Sequence, residues 1–567
     1  MVDFRSALNK QLIVFDGAMG TMIQRHGLKP GQMPETFNVL CPDVVKGIHR
    51  EYIQAGADVI TTNTFGANEL KLKGTGYTVE QVISRAVDLA RQVAGDRWVA
   101  LDIGPIGQLM EPMGTLSFEE AYNMYARQVR AGAQAGTDLI LIETIGDLYE
   151  AKAAILAAKE NSHLPVICTM TFEQSGRTLM GADPKTAVVV LEGLGVDALG
   201  VNCSLGPEEL LPIVKQILSY AAVPVLVQPN AGLPEMVNGQ AVYPMKPELF
   251  ERYASVMVQL GVRMIGGCCG TTPDFIRAVR KAVNRLAPVY TSVDRTAAVA
   301  SGSRTVVLDQ GVRIIGGRIN ARHNEDIMRA LMSNGFGDLL SEAIDQRGRG
   351  ADILAVDVGL PDTLEGKIAE HELLPGVIRE IQAVVNLPLE ISSSCPAALE
   401  AGMRAYNGKP LVRWTARETA SMEPLLPLVK KYGACILVSA AGKNGSPDNA
   451  VEGFKAAEDI VGFVQSYGVP KEDIIVDCGV PYKADRLGEN MEAIEMIRLV
   501  KNKLGLKTAL SIERAFAGLS HRYDEPVVST FLVMALANGL DVLVSESMSS
   551  YLMETVNAFR SLTIRGE

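Results

Sequence analysis

No apolar run in this chain approaches the roughly 20 residues needed to cross a bilayer. The first residues, Met1-Val2-Asp3-Phe4-Arg5-Ser6, contain no hydrophobic core of a secretory signal. A basic surplus is missing too. The formal net charge is −11, which argues against nucleic acid, whose phosphates need a basic face. It does not exclude a small anionic substrate held by a local site. Cysteine is sparse: eight in 567 residues make no disulfide framework, and most lie inside apolar, strand-like runs. A reducing, cytoplasmic setting is therefore expected, where clustered cysteines bind metal or do chemistry. Aromatics make up only 5% of the chain, whereas glycine, at 53 residues, is plentiful, as many short loops between strands and helices require.

What is present is ordinary for a globular protein, with 47% hydrophobic and 21% charged residues. The length favours two large domains over one. Through the first half one unit recurs. A short apolar run ends in a polar or glycine loop, and an amphipathic helical stretch follows. The strand-like runs are 12–15, 58–62, 98–102, 138–143, 165–171, 197–203, 223–228 and 263–267. Continuous apolar strands alternating with helices indicate parallel strands buried on both faces. Eight such units predict a closed (β/α)₈ barrel over 1–285. An open doubly wound sheet is the alternative, but no G-x-G-x-x-G follows the first strand. Residues 286–305 are small and polar without a helical stripe, and read as a linker. The rhythm then restarts, predicting a second barrel over 306–567. The expected fold class is α/β, two (β/α)₈ TIM-type barrels in tandem.

Function in such a barrel collects where strands run out into their following loops. Cys203 closes the sixth predicted strand, and Cys268 and Cys269 close the eighth. Strands six and eight are close neighbours around the ring, so three thiolates can converge on one zinc ion, at about 2.3 Å each. Adjacent cysteines on extended backbone point opposite ways; the flanking glycines permit an irregular turn that aims both at one ion. A Cys₃ set leaves a coordination position open, as catalytic zinc sites do, and a thiol bound there loses its proton. Buried structural cysteines are the competing reading. Other strand ends carry Asp16, Asp102, Glu143 and Gln228. Any one carboxylate can simply cap a helix, but Asp16 and Glu143 on one rim are suited to hold a substrate ammonium jointly.

The stretches Asp16-Gly17-Ala18-Met19-Gly20-Thr21, Thr62-Asn63-Thr64-Phe65, Asp102-Ile103-Gly104-Pro105, Glu143-Thr144, Val201-Asn202-Cys203-Ser204, Pro229-Asn230-Ala231-Gly232 and Gly266-Gly267-Cys268-Cys269-Gly270 resemble the motifs of zinc-dependent homocysteine S-methyltransferases over all of 10–285. The resemblance implies zinc at Cys203, Cys268 and Cys269, with the sulfur of homocysteine as exchangeable ligand. It implies Asp16 and Glu143 near the homocysteine amino group, and Asn230 as the residue able to take the fourth metal position when homocysteine is absent. Gly17, Thr64 and Asn202, within the same motifs, complete the candidate substrate contacts. With the second barrel, the resemblance narrows to the N-terminal two-barrel half of cobalamin-dependent methionine synthases.

In that family the second barrel resembles dihydropteroate synthase and binds methyltetrahydrofolate. Gly316-Gly317-Arg318-Ile319-Asn320, Asp477-Cys478-Gly479-Val480 and Phe516-Ala517-Gly518-Leu519 with Arg522 keep part of its pattern, Asp477 being the acceptor for the pterin ring. Elsewhere the chain departs. Ser392 stands where an aspartate acceptor is expected, which loses a charged acceptor. Arg413 stands where an asparagine is expected, a fixed cation in place of a neutral amide. Glu513 aligns with the asparagine that assists methyl transfer, and would donate a proton if burial raised its pKa. The candidate donor contacts are Arg318, Asn320, Asp357, Ser392, Arg413 and Asp477.

The expected function is methyl transfer to homocysteine, giving methionine, catalysed with Cys203, Cys268, Cys269 and Glu513. The expected donor is methylcobalamin on a separate corrinoid protein or on a module not in this sequence, because none of the six histidines lies in the family's D-x-H-x-x-G corrinoid pattern. The second barrel would recharge the corrinoid from methyltetrahydrofolate or a related donor. The rivals are a homocysteine methyltransferase using a betaine or S-methylmethionine directly, and a non-catalytic scaffold that docks a corrinoid protein. A thiol acceptor other than homocysteine is also open, since the metal recognises only sulfur. Neither nucleic acid nor membrane is an expected partner.

Overall fold

The computed structural model describes residues 3–563 except 9, 30, 238–239, 291–292, 334, 360–368, 415–421, 440–448, 480–489 and 517–523. The chain divides into two compact units, Met1–Arg295 and Thr296–Glu567. Both are α/β barrels of parallel strands. Among the described residues no helix is long and apolar enough to cross a membrane.

The first unit's barrel strands are β1 (Ile13–Val14), β2 (Val59–Thr61), β3 (Trp98–Ile103), β4 (Leu139–Ile145), β5 (Val166–Met170), β6 (Ala198–Asn202), β7 (Val225–Gln228) and β8 (Met264–Ile265). They pair in the order β1-β8-β7-β6-β5-β4-β3-β2. The two ends of that sheet meet through a parallel bridge between Phe15 and Val59, with Asp58 N donating to Val14 O at 2.7 Å. These strands form because their residues are apolar on both faces: every residue of β3 and β5 is buried. Inward side chains such as Phe15, Ala100, Leu141, Ile167, Ala198 and Leu226 fill the lumen. The short helix Phe4–Leu8 buries Phe4, Ala7 and Leu8, and Phe4 meets Trp98 edge-on at 5.3 Å. That leaves the opposite, C-terminal rim for chemistry.

Helix boundaries follow local rules. Thr78 with Gln81 and Ser117 with Glu120 form reciprocal capping boxes ahead of Val79–Ala94 and Phe118–Ala135. An aspartate just before several strands fixes register, its carboxylate accepting an N–H from the first or second residue of the preceding strand. Asp58 serves Val14 at 2.9 Å, Asp138 serves Val99 at 2.7 Å, and Asp197 serves Val166 at 2.8 Å.

The second unit is a closed barrel of β9 (Arg313–Asn320), β10 (Ile353–Asp357), β11 (Leu389–Ser393), β12 (Leu411–Trp414), β13 (Cys435–Ser439), β14 (Ile474–Asp477), β15 (Lys507–Ser511) and β16 (Val542–Ser545). One sequence expectation changes here. The stretch 286–305 is not irregular throughout: Ala298–Ser301 is a buried strand, paired antiparallel with Thr305–Val307 and Gly408–Lys409. Its small residues read as linker, but Ala297 and Val299 belong to the second unit's core. Tyr406 donates to Ala300 O at 2.8 Å, which ties the strand down.

Candidate functional site: a three-thiol pole and a carboxylate pole

The rim of the first barrel is irregular where the thiols lie. Beyond β6, Cys203 and Ser204 hold φ of 61° and 55°, left-handed values that cost a non-glycine residue on the order of 1–3 kcal/mol each. The conformation is held by Cys203 N donating to Gln228 O at 3.1 Å and Leu205 N donating to Cys203 O at 2.7 Å. Beyond β8, Cys268 N donates to Pro229 O at 2.8 Å, and Ala231 N to Cys269 O at 2.9 Å. Gly270 has φ 80°. At Gly267 a Cβ would lie 2.5 Å from Thr271 Oγ1, so the turn packs too tightly for a side chain. Ridged between these loops, the ligand atoms of Cys203, Cys268 and Cys269 lie within 4.8 Å of one another. Cys203 Sγ and Cys269 Sγ are 3.8 Å apart. Zn–S bonds of about 2.3 Å at tetrahedral angles put sulfurs about 3.8 Å apart, so this donor set fits zinc. Asn202 Nδ2 lies 3.9 Å from Cys268 Sγ.

The thiols border a cavity of about 250 Å³ whose lining also includes Asp16, Glu35, Asp102, Glu143 and Gln228. No lysine or arginine lines it among the described residues. Asp16, after β1, is clamped: Thr61 N donates to Oδ2 at 2.8 Å and the Thr61 hydroxyl reaches Oδ1 at 3.1 Å. Burial nevertheless lifts its pKa to about 7. Glu143 rises to about 8 through burial and then the nearby Asp16 charge. Asp102 is pushed well above the carboxylate range by burial, then by Glu143 and Asp16. Glu35 is raised by burial; its Oε1 accepts Gly66 N at 2.6 Å. The cavity thus has a sulfur pole on β6–β8 and an acidic pole on β1–β4, too poor in cations to ionise fully by itself.

In the second unit Arg413 is buried against Glu390, with Nε 2.7 Å from Oε1 and Nη2 donating to Oε2 at 3.4 Å. Its Nη1 lies 3.7 Å from Asp477 Oδ2. Ser392 Oγ donates to Glu390 Oε1 at 3.1 Å. A separate cavity of about 400 Å³ is lined by Arg318, Asn320, His323, Glu513, Glu546 and Ser547, among others.

Residues 13–283 match the homocysteine S-methyltransferase family, and residues 316–544 match the pterin binding enzymes. The first unit is a homocysteine S-methyltransferase domain and the second a pterin-binding domain. The same pairing is found in curated relatives named methionine synthase. That of Mycobacterium leprae is 29% identical over 95% of this chain and 47% of its own length. That of Mycobacterium tuberculosis is 29% identical over 95% of this chain and 48% of its own length. The chain therefore spans about half the length of the curated relatives it matches. The apo structure of the homocysteine methyltransferase MmuM from Escherichia coli is 25% identical, covering 48% of this chain and 97% of that one with a TM-score of 0.40.

In the homocysteine S-methyltransferase domain, Asp16, Gly17, Glu143 and all three cysteines line one cavity. Three other expected substrate contacts do not reach its lining. Thr64 is fully buried, its hydroxyl 2.7 Å from the Thr62 hydroxyl and donating to Asp102 O at 2.7 Å. Asn202 is fully buried too; it donates to Thr144 Oγ1 at 2.7 Å and accepts from Thr144 N and Thr169 Oγ1, both at 2.8 Å. Asn230 is buried beside Leu205 and Cys269, with Oδ1 unpartnered. These positions make Thr64 and Asn202 supports of the rim. Asp102 was legible as a strand end within the Asp102-Ile103-Gly104-Pro105 motif and Gln228 only as a strand-end group, while Glu35 lies in the short 3-10 helix Pro34–Thr36 without any motif signal.

The pterin-binding domain splits its candidates. Arg318, Asn320 and Glu513 share the outer cavity, whereas Ser392, Arg413 and Asp477 meet inside the barrel. Asp357 accepts Gly359 N at 2.9 Å and is raised by burial. Glu513 uses one carboxylate oxygen structurally, and its Oε2 is buried without a partner. Its Oε1 accepts from Ser545 Oγ at 2.8 Å and from Glu546 N and Ser547 N at 2.9 Å, so it anchors the loop after β16. Glu390 was missed; the available signal was an acidic residue two places before Ser392, hence on the same strand face. Expected candidates Phe516 and Asp477 are described, but the rest of the runs 480–489 and 517–523, including Arg522, lie outside the described residues.

Proposed function

We propose that the first domain methylates the thiol of homocysteine to give methionine, with zinc on Cys203, Cys268 and Cys269 as cofactor. The observation that carries this reading is the cluster of three sulfurs within 4.8 Å of one another, Cys203 and Cys269 at 3.8 Å, sharing one cavity with an acidic pole. Zinc bound to three thiolates supplies the Lewis acidity that ionises a substrate thiol near neutral pH. The chain's own part is positioning. The rim turns after β6 and β8 hold three sulfurs ready, so little order has to be gained on loading. The acidic pole receives the substrate's ammonium group, which sets the reach of its thiol toward the sulfur pole. The substrate sulfur then forms a bond to the incoming methyl carbon as the donor–methyl bond breaks, the donor keeping the electron pair.

The proposed donor is methylcobalamin carried by a corrinoid-binding protein or module, recharged at the second domain from methyltetrahydrofolate or a related donor. Support for that step is the pterin-binding family match over 316–544. Asp477, the acceptor that a pterin ring would use, already faces Arg413, so a donor seated there has to share it. A reducing cytoplasm suits eight cysteines that are all free.

The test is metal analysis with turnover. The purified chain should carry one zinc, and methylate homocysteine from free methylcobalamin. Cys268→Ala should lose both together. Full activity after complete zinc removal overturns the reading.

A further inference from the structure

We propose that Asp102, paired with Glu143, is the specificity-determining contact for the substrate's amino group. This rests on the reading of the first domain as acting on an amino-acid thiol, and refines which carboxylates do the recognising. Four acidic side chains line the cavity, and they are not equivalent. Asp16 spends its oxygens on Thr61. Glu35 spends Oε1 on Gly66 N. Asp102 and Glu143 accept no hydrogen bond from any donor among the described residues, and Asp102 Oδ1 is buried without a partner.

The fold brings these two together. Asp102 lies near the end of β3 and Glu143 near the end of β4, strands that pair directly through Asp102 with Leu141 and Ile103 with Ile142. Asp102 feels Glu143 most strongly of the cavity's other acids, then Asp16 and Glu35, and Glu143 feels Asp16. The charge of Lys71 lowers the pKa of Asp102, but Lys71 makes no hydrogen bond to it: its Nζ donates to Pro105 O at 2.7 Å and lies 5.3 Å from the Phe65 ring centroid. Two carboxylates on adjacent strands without a hydrogen-bond donor in a cavity wall are costly to ionise unless a ligand supplies donors and charge.

A metal ion is the rival occupant. Among the described residues, however, the only group of three or more His, Cys, Asp or Glu whose ligand atoms lie close enough for one ion is the cysteine trio. A primary ammonium fits better. It brings one positive charge and three N–H donors, enough to satisfy an oxygen of each carboxylate by charge-assisted bonds. It is also tethered, in an amino-acid thiol, to the sulfur that must reach the opposite pole.

The experiment compares two ligands on the zinc-loaded full chain by calorimetry: L-homocysteine, and 4-mercaptobutanoic acid, which keeps the thiol and carboxylate but lacks the amine. Wild type should bind homocysteine at least about tenfold more tightly. Asp102→Asn should lose that preference, weakening homocysteine at least about tenfold while the amine-free thiol stays within about twofold. Zinc content and Trp98 fluorescence report whether the variant is folded; if it is not, Asp102→Ser is measured in its place, and the wild-type comparison stands independently. Equal binding of both ligands by wild type, unchanged homocysteine binding by the variant, or parallel loss of both ligands overturns the proposal and leaves the homocysteine reading intact. If wild type binds neither thiol, the homocysteine reading falls and this proposal with it.

Discussion

Asp16 gives the sharpest test of the acidic pole, because its ionisation is linked to folding. Burial lifts its pKa from 3.8 to about 7. Between those values the folded chain keeps a proton that the unfolded chain has released, so stability falls as pH rises; above about 7 both forms are ionised and the loss levels off. Asp16→Asn imitates the protonated acid. Its amide can accept from Thr61 N and donate to the Thr61 hydroxyl, the two groups Asp16 now meets at 2.8 and 3.1 Å. Wild-type stability relative to the variant should therefore drop by about 2 kcal/mol from pH 5 to pH 7, and by only about 0.4 kcal/mol more to pH 8. The Asp16 charge also raises Glu143 and Asp102, so its removal acts on them in the same direction. The chain contains two tryptophans. Trp98 is buried in β3 of the first domain and Trp414 in β12 of the second. Urea unfolding followed by Trp98 in a Trp414→Phe background, on metal-free protein, reads the first domain alone. A difference that is flat across pH 5–7, or one that grows in favour of wild type, refutes the buried-acid account.

Three further perturbations have definite outcomes. Glu390→Gln leaves Arg413 short of its principal partner inside the barrel; it should cost about 3–5 kcal/mol in the Trp414 transition and leave that of Trp98 in place, and equal shifts of both would count against a local ion pair. Asn202→Ala removes the contacts to Thr144, Thr169 and Cys268, and should weaken zinc about 10–100-fold in competition with a chromophoric chelator; unaltered affinity removes Asn202 from the support of the site. Gly200→Ala forces a Cβ to within 1.8 Å of Leu226 O, so its Trp98 midpoint should fall steeply or the protein should be insoluble, whereas a wild-type midpoint would mean that β6 and β7 are less closely paired than described.

Much of the architecture was legible because local signals agreed with one another. The aspartates ahead of the strands are an example. Ala57-Asp58-Val59, Thr137-Asp138-Leu139, Val196-Asp197-Ala198 and Ala351-Asp352-Ile353 each mark a strand start, and in the fold Asp58, Asp138, Asp197 and Asp352 accept an N–H from the first or second residue of a neighbouring strand. The cysteines were legible for the same reason: their positions at strand ends are a sequence property, and barrel topology does the rest. The strand at Ala298–Ser301 escaped because its small residues carry no pattern of their own. It is stabilised by partners far away in sequence, Lys409 and Gly408 in the ladder and Tyr406 on its carbonyl.

The harder distinction lay among residues of identical type. Both barrels place acids near the ends of their strands, and the sequence singled out Asp16, Glu143 and Asp477 while giving Asp102 no role and passing over Glu390. What separates them is the partner. In the second barrel Arg413 reaches from β12 to Glu390 on β11 and toward Asp477 on β14, so one cation partly offsets two acids there. Across the first barrel's cavity no basic side chain among the described residues lines the wall, and the acids are driven toward their neutral forms. A barrel that satisfies its own buried charges has little left with which to hold a cation, while one that leaves them unsatisfied is less stable empty than filled. Arg413 thus gives the acids of the second lumen a cation within hydrogen-bonding or ion-pair reach, whereas among the described residues the acids that share a cavity with the three thiols have none lining their wall.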